Sequence, residues 1–286
     1  MINGGYYPVG GMQAVPDSLS KKFKEFGGEI WFSKKVEKIE INNNIAMGIS
    51  VEKNSLRSRF VISNCDIMQT YFKLIGEEYL NNELKNSLAK KVMSPSALIV
   101  YLGLKNNVKS YFAEKSYAAW YMPTYDLESI YLHNDDSNDI NFNEKDVFLA
   151  LGNFNSVQQQ NHTNKTMHLL IIAPFKDEKF WEENKYKLAD DLIKRGQNLI
   201  PSIERDIAIK HIATPIDFFN YSGNCKGSAY GWASVEDNAA YLGRPIKNFY
   251  IVGHWSSSRF GCGGINTVAL ISYSTSQTII NKWIKK

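Results

Sequence analysis

Cysteine is scarce in this chain, with Cys65, Cys225 and Cys262 the only three among 286 residues. An odd number, without CxxC spacing and without a nearby histidine pair, excludes a disulfide framework and argues against a metal site. Long apolar runs are also missing. The longest, Ala97–Leu102 and Leu169–Phe175, fall far short of the roughly 20 residues that span a bilayer, so they read as buried strands. Residues Met1–Tyr7 hold Gly4 and Gly5 where a signal peptide needs a charged segment followed by an apolar run, which argues against export. Neither sign of charge dominates: 33 basic and 29 acidic residues are interspersed, and the net charge of +4 leaves no nucleic-acid footprint. The five histidines show no H-E-x-x-H or metal spacing, and no G-x-S-x-G nucleophile elbow is present. The pairs Asp135-Asp136 and Asp190-Asp191 read as solvated charge. The expectation is a reduced, cytoplasmic protein without hydrolytic chemistry.

What the sequence does hold is a 44% hydrophobic chain, long enough to bury a sizeable core in one or two domains. Apolar residues from Met12 through Val15, Leu19, Phe23 and Phe26 recur at helical spacing, and Gly27-Gly28 supplies the stop. Segments Glu29–Phe32, Val36–Ile41 and Ala46–Glu52 suggest a small antiparallel unit, with a turn at Asn42-Asn43-Asn44. A short strand from Arg59 to Ser63 runs into Asn64-Cys65-Asp66, whose side chains can cap a helix over Ile67–Leu74. Strands are expected at Ala97–Leu104, Ala118–Met122, Val147–Leu151, Met167–Ala173 and Ile207–Ile212. Asn134–Asn143 is the most loop-like segment, and a helix is expected over Lys185–Ile200. The last stretch reads as a strand at Asn248–Gly253, a glycine-rich turn and a helix from Ile265 to Trp283 with Ile265, Val268, Ala269, Ser272, Ser276, Ile279, Ile280 and Trp283 on one stripe.

Three segments carry candidate chemistry. Strand, Gly253-His254-Trp255, then Gly261, Gly263 and Gly264 before the Ile265 helix place unpaired N–H groups and a partial positive charge where a phosphate or an electron-rich ring edge could bind. Asn266 stands where G-x-G-x-x-G needs its third glycine, so this is no Rossmann phosphate loop; a tight strand-to-helix connection stays open beside the binding reading. Tyr6-Tyr7-Pro8-Val9-Gly10-Gly11-Met12 opens the first helix with paired glycines that let backbone approach a flat ligand. Gly223–Trp232 alternates aromatics, among them Tyr230 and Trp232, with small residues; it can line an apolar pocket or cap a core.

Taken in order, Y-x-P-x-G-G-M at Tyr6–Met12, G-G-E-I ending at Ile30, V-E-K-I at Val36–Ile39 and V-I-S-N-C-D at Val61–Asp66 resemble the phytoene desaturase, carotenoid isomerase and retinol saturase family of FAD-dependent oxidoreductases. The resemblance continues through Ser94–Leu104, Ala213–Asn224, A-Y-G-W at Ala229–Trp232 and Y-I-V-G-H-W at Tyr250–Trp255. It implies an α/β fold, mixed α+β in detail, with an incomplete amine oxidase-like FAD-binding domain and a mixed-sheet substrate domain. The expected division is 1–75 for the first helix and part of the FAD domain, 76–244 for the substrate domain and 245–286 for the closing strand and helix.

By the same resemblance, Val36, Gly253, His254, Trp255, Gly261, Gly263, Gly264 and Ile265 are cofactor-binding, with Val36 beside the adenine half of FAD and the last helix at the flavin pyrimidine edge. Tyr7, Gly10, Gly11, Met12, Tyr230 and Trp232 are the substrate-binding set for an apolar polyene or isoprenoid. The family's amino-terminal strand, G-x-G-x-x-G turn and helix are missing, so the expectation is the carboxy-terminal portion of such an enzyme, with a separate FAD-binding half as partner and peripheral membrane contact. The alternatives are a non-catalytic module that binds an apolar ligand, or one half of a split flavoenzyme.

Overall fold

The computed structural model describes residues 8, 11–105, 118–122, 124–126, 148–152, 166–233, 246–256 and 264–284. In chain order its elements are α1 (Ala14–Glu25), β1 (Val36–Asn42), β2 (Ile45–Val51), β3 (Asn54–Arg57), β4 (Val61–Ser63), α2 (Asn82–Lys90) and β5 (Ser96–Leu104). There follow β6 (Ala118–Tyr121), β7 (Phe148–Gly152), β8 (Thr166–Ala173), α3 (Glu178–Gly196), β9 (Ile207–Ala213), α4 (Pro215–Ser222), β10 (Phe249–Ile251) and α5 (Ile265–Ile284). Two compact units share them: Met1–Phe32 with Ala97–Thr214, and Ser33–Ser96 with Pro215–Lys286. Among the described residues no helix is long and apolar enough to cross a membrane.

The first unit is a five-stranded sheet of order β6-β7-β8-β5-β9. Alternation along β5 and β8 buries Leu98, Val100 and Leu102 with Met167, Leu169 and Ile171 on one face. Helix α3 covers that face: a Cβ added at Gly196 would sit 3.0 Å from Leu169, and the Arg195 guanidinium lies over the Phe148 ring at 5.4 Å. Asp177 accepts from the Phe180 N–H at 2.8 Å, so α3 starts at Glu178, well before the expected Lys185. Helix α1 closes as its glycines require, with Gly28 N–H on the Phe23 carbonyl, Gly27 N–H on the Lys24 carbonyl and Gly27 at φ +82°. The segment Glu29–Phe32 that follows is not a strand, since no described strand pairs with it.

The second unit opens with an antiparallel meander, β1-β2-β3. Asn43 and Asn44, both at positive φ, make the two-residue turn that sets Asn42 opposite Ile45. A second two-residue turn, Glu52-Lys53, is equally left-handed but built from residues that do not announce it. Strands β4 and β10 pair in parallel, Val61 with Phe249 and Ser63 with Ile251. One core joins Ile39, Val61, Leu84, Leu88, Trp232, Phe249 and Trp255. Leu84 and Leu88 bring α2 into this core, and Asn81 caps it by accepting from the Leu84 N–H at 2.8 Å. The contact division therefore falls at 32/33, 96/97 and 214/215, where the sequence reading had drawn 75/76 and 244/245.

The helix expected over 67–74 winds from Gln69 to Ile75 with π-type bonding. Along α5 the expected stripe holds in part: Val268, Ser272, Ser276 and Ile279 are half-buried beside Ile271, the helix's one buried residue, while Ile265, Ala269, Ile280 and Trp283 are exposed. Its carboxy-terminal end is held by Arg59, stacked over Trp283 at 3.8 Å, and by Phe60 against Trp283 and Tyr250.

Candidate functional site

Parallel strands present their carboxyl ends on one side, and there β4 leads into Asn64-Cys65-Asp66 while β10 leads into Gly253-His254-Trp255. Such ends are where ligands gather in parallel sheets. The two turns interlock. Gly253 has φ +79°, and a Cβ on it would stand 1.8 Å from Asn64 Oδ1, so only glycine fits without displacing that side chain. Val252 N–H donates to the Ser63 carbonyl at 2.9 Å, and the Ser63 hydroxyl meets that of Thr70 at 3.0 Å.

Asp66 is the organising group. It is 2% exposed; Oδ1 accepts from the Gln69 N–H and Oδ2 from the Cys225 N–H, both at 2.8 Å. One carboxylate thus starts the Gln69–Ile75 turn and anchors the 223–232 loop. Asn224 continues the link, its Oδ1 accepting from the Trp255 indole N–H at 3.0 Å and its Nδ2 donating to the Ser228 carbonyl at 3.1 Å. Trp232 packs edge-on against Trp255 with centroids 5.2 Å apart, and its indole N–H donates to the Trp255 carbonyl at 3.2 Å. The loop closes through Ser94 and Ser228, whose hydroxyls meet at 2.8 Å, with Tyr230 N–H donating to Ser94 Oγ at 2.8 Å.

His254 lies in this assembly with its Nε2 shielded from solvent and, among the described residues, without a hydrogen-bond partner. Burial lowers its pKa below the ordinary 6.5, and the Asp66 carboxylate opposes that shift only partly. A Cβ on Gly231, at φ +79°, would come within 2.5 Å of the His254 carbonyl, so the A-Y-G-W loop and the G-H-W turn touch through backbone. Beyond them, an exposed Gly264, whose added Cβ would meet nothing within 4 Å, immediately precedes α5, and the first turn of that helix holds no acidic residue. Among the described residues, the imidazole nitrogen without a partner, the glycine-only backbone and a helix N-terminus with no acidic residue in its first turn all fit an electron-rich ligand such as the FAD expected from the motifs.

Of the expected cofactor set, Gly253, His254 and Trp255 stand together, and Gly264 and Ile265 form the start of α5. Val36 is half-buried at the start of β1, opposite Val51. In the substrate set, Trp232 is buried core, Tyr230 is exposed, and Gly11 and Met12 precede α1 in the other unit. Tyr7, Gly10, Gly261 and Gly263 lie outside the described residues, as does Asn134–Asn143. Among the described residues no group of three or more His, Cys, Asp and Glu could hold a metal.

The sequence reading missed one cluster altogether. Tyr101 on β5 faces His211 on β9 at 6.2 Å and His168 on β8 at 5.6 Å, on the sheet face away from α3. Burial raises the Tyr101 pKa and lowers that of His168. Ile172 and Ile209 share this face, as does Trp120 by register, and all are half or more exposed. Period-two alternation hid them, because these positions read as the polar-facing side of ordinary strands.

The chain is similar over most of its length to enzymes of carotenoid metabolism. It is 28% identical to the 1-hydroxycarotenoid 3,4-desaturase of Flavobacterium sp. (strain P99-3), covering 97% of this chain and 56% of the relative. It is 26% identical to the chloroplastic prolycopene isomerase of Daucus carota (86% of this chain, 39% of the relative) and 24% identical to the lycopene-forming phytoene desaturase of Pseudescherichia vulneris (92% and 54%). The chain thus spans about half the length of the curated relatives it matches. Among solved structures, an oxidoreductase from Methanosarcina mazei shares the fold with a TM-score of 0.59 at 17% identity, over 94% of this chain and 55% of that one. No protein-family model matches.

Proposed function

We propose that this chain is the carboxy-terminal portion of a FAD-dependent oxidoreductase that desaturates, saturates or isomerises an apolar polyene or isoprenoid-like substrate. The observation that carries this reading is the similarity along 97% of the chain to a carotenoid desaturase. The geometry at the ends of β4 and β10 supports it. Gly253, His254 and Trp255, with the Gly264–Ile265 helix start, would hold the electron-rich side of the cofactor, and Val36 its adenine half. Bound FAD would supply the hydride acceptor; the protein's part is orientation and electrostatics, which fits the lack of an obvious acid–base pair. The α5 N-terminus contributes a positive dipole for an anionic ring. His254, whose pKa burial lowers, offers a shielded imidazole nitrogen for hydrogen bonding.

For the substrate, the open face around Tyr101, Trp120, Ile172 and Ile209 gives broad apolar and aromatic contact without a formal charge at those four positions. Exposed apolar residues of α1, Leu19 and Phe23, flanked by Lys21, Lys22 and Lys24, suit peripheral contact with a bilayer holding such a substrate. A separately folded FAD-binding half is the expected partner.

The test is flavin retention. The chain is purified alone and mixed with the portion of the Flavobacterium desaturase that it does not match, each with added FAD, then desalted and scanned for flavin absorbance. Retained flavin in the mixture is the expected result. No flavin under either condition, with an apolar ligand still bound, would replace the enzyme reading by that of a non-catalytic binder.

A further inference from the structure

Resting on the reading that the open face of the five-stranded sheet meets the substrate, we infer that His168, Tyr101 and His211 form a hydroxyl-recognising subsite on it, so that the ligand is a long apolar chain bearing an alcohol oxygen rather than a plain hydrocarbon. The three side chains make one row across the neighbouring strands β8, β5 and β9. Tyr101 stands directly opposite His211 in the β5–β9 register with ring centroids 6.2 Å apart, and the His168 ring lies 5.6 Å from it on the β8 side. The surroundings make this row unusual. Solvated faces of antiparallel sheets ordinarily carry polar and charged side chains. Here Trp120, Ile172 and Ile209 are half or more exposed, and among the described residues that share the face by register none is Asp, Glu, Lys or Arg. Lys210 of β9 lies on the other face, paired with Asp190 of α3. Exposed apolar surface of this kind marks a place where a ligand sits.

The polar ends of the row select what that ligand carries. Among the described residues none of the three side chains has a hydrogen-bond partner. A phenol hydroxyl both donates and accepts, and a neutral imidazole offers one donor and one acceptor. Burial raises the Tyr101 pKa and lowers that of His168, so both favour their uncharged forms. An alcohol, itself donor and acceptor, answers such a row. A carboxylate would give up water without meeting a cation on this face. A hydrocarbon would cover the three groups and leave them unpaired, and a site built to bond a hydroxyl discriminates against the analogue that lacks it. Strand order sets the orientation. In the sequence β6-β7-β8-β5-β9, the strand bearing Trp120 runs three inter-strand spacings, about 14 Å, from β5. The oxygen therefore sits over Tyr101 while the chain crosses β8 past Ile172 toward Trp120.

The probes are geranylgeraniol, the hydrocarbon of the same skeleton and geranylgeranoic acid, each radiolabelled, in detergent micelles with the whole chain, and binding is read by gel filtration in the presence of probe. The alcohol should bind about five- to tenfold more tightly than the hydrocarbon, the worth of about one neutral hydrogen bond, and more tightly than the acid. Tyr101→Phe keeps the ring and its contacts, so it should cut that preference to about twofold or less while hydrocarbon binding and the urea midpoint stay as in the parent. His168→Gln, which retains a donor and an acceptor, should keep most of the preference. Equal affinity of the parent for alcohol and hydrocarbon, tighter binding of the acid, an undiminished preference in Tyr101→Phe, or no binding of any probe at about 100 µM would each overturn the inference. Should the phenylalanine variant fail to fold, the imidazole proton resonances of His168 and His211 in the parent decide: they should shift with the alcohol and not with the hydrocarbon, and their silence would overturn the assignment. A preference erased in Tyr101→Phe beside a reconstituted complex that retains no flavin leaves this inference standing and removes the flavoenzyme reading. Retained flavin beside an alcohol bound no better than the hydrocarbon does the opposite.

Discussion

Gly253 and Gly264 flank the candidate site, yet the structure gives them opposite sensitivities. A methyl group at Gly253 must be carried at φ +79° and would begin 1.8 Å from Asn64 Oδ1. Left-handed backbone at a non-glycine residue costs about 1–2 kcal/mol. Asn64 is exposed and can swing aside, so the collision adds less than one with backbone would, and the total for Gly253→Ala should be about 1–3 kcal/mol. Gly253→Asn meets the same side chain but tolerates the left-handed region, so it should be milder, and the Ala–Asn difference isolates the backbone share. At Gly264 an added Cβ meets nothing within 4 Å, and the change should stay within about 0.5 kcal/mol. Urea unfolding reads this as a shift in midpoint at constant slope. In protein reconstituted with a FAD-binding half, Gly264→Val should instead lose flavin while keeping its midpoint. Loss of stability at Gly264 with unchanged flavin, or an unaffected Gly253→Ala, would refute the reasoning.

Asp66→Ala strands two backbone donors, Gln69 N–H and Cys225 N–H, and should cost about 3–5 kcal/mol by urea unfolding; Asp66→Asn, which keeps one acceptor, should cost less. Because the folded pKa of His254 lies below its ordinary 6.5, the unfolded chain binds more protons as pH falls through 6.5, so stability should decline there. His168 shifts the same way, and a His254→Gln, His168→Gln double variant should flatten that slope in unfolding scans run across acid pH. Trp232→Ala should cost about 3–5 kcal/mol through a buried cavity and the lost bond to the Trp255 carbonyl; a cost under about 1 kcal/mol would contradict its placement in the core.

Local rules made much of the fold legible. Strands β5 to β9 stand close to where β-branched and aromatic runs placed them, and the Gly27-Gly28 stop and the Asn43-Asn44 turn use the residues their geometry demands. Failures arose where tertiary structure overrode local signals. Strand β3 hid behind Glu52-Lys53, a left-handed turn made of residues that dislike that conformation. Helix α2 hid because only Leu84 and Leu88 of its nine residues are buried. Glycine spacing and family motifs single out Gly253, His254 and Trp255, and the structure sets them directly after β10. They do not reach the linking role of Asp66, since Cys225 lies 159 residues away and capping logic explains only its bond to Gln69. For Trp232 a glycine-rich loop allows either a pocket wall or a core cap, and its indole fills the core against Trp255.

The most direct test of the flavoenzyme reading is anaerobic mixing of the FAD-reconstituted complex with a carotenoid precursor in detergent, following the flavin spectrum and the polyene by chromatography. The account predicts that the oxidised flavin bands bleach as a new double bond appears, or that the polyene changes geometry only when flavin is bound. Flavin that stays oxidised beside an unchanged polyene, across saturated and unsaturated precursors, would contradict it.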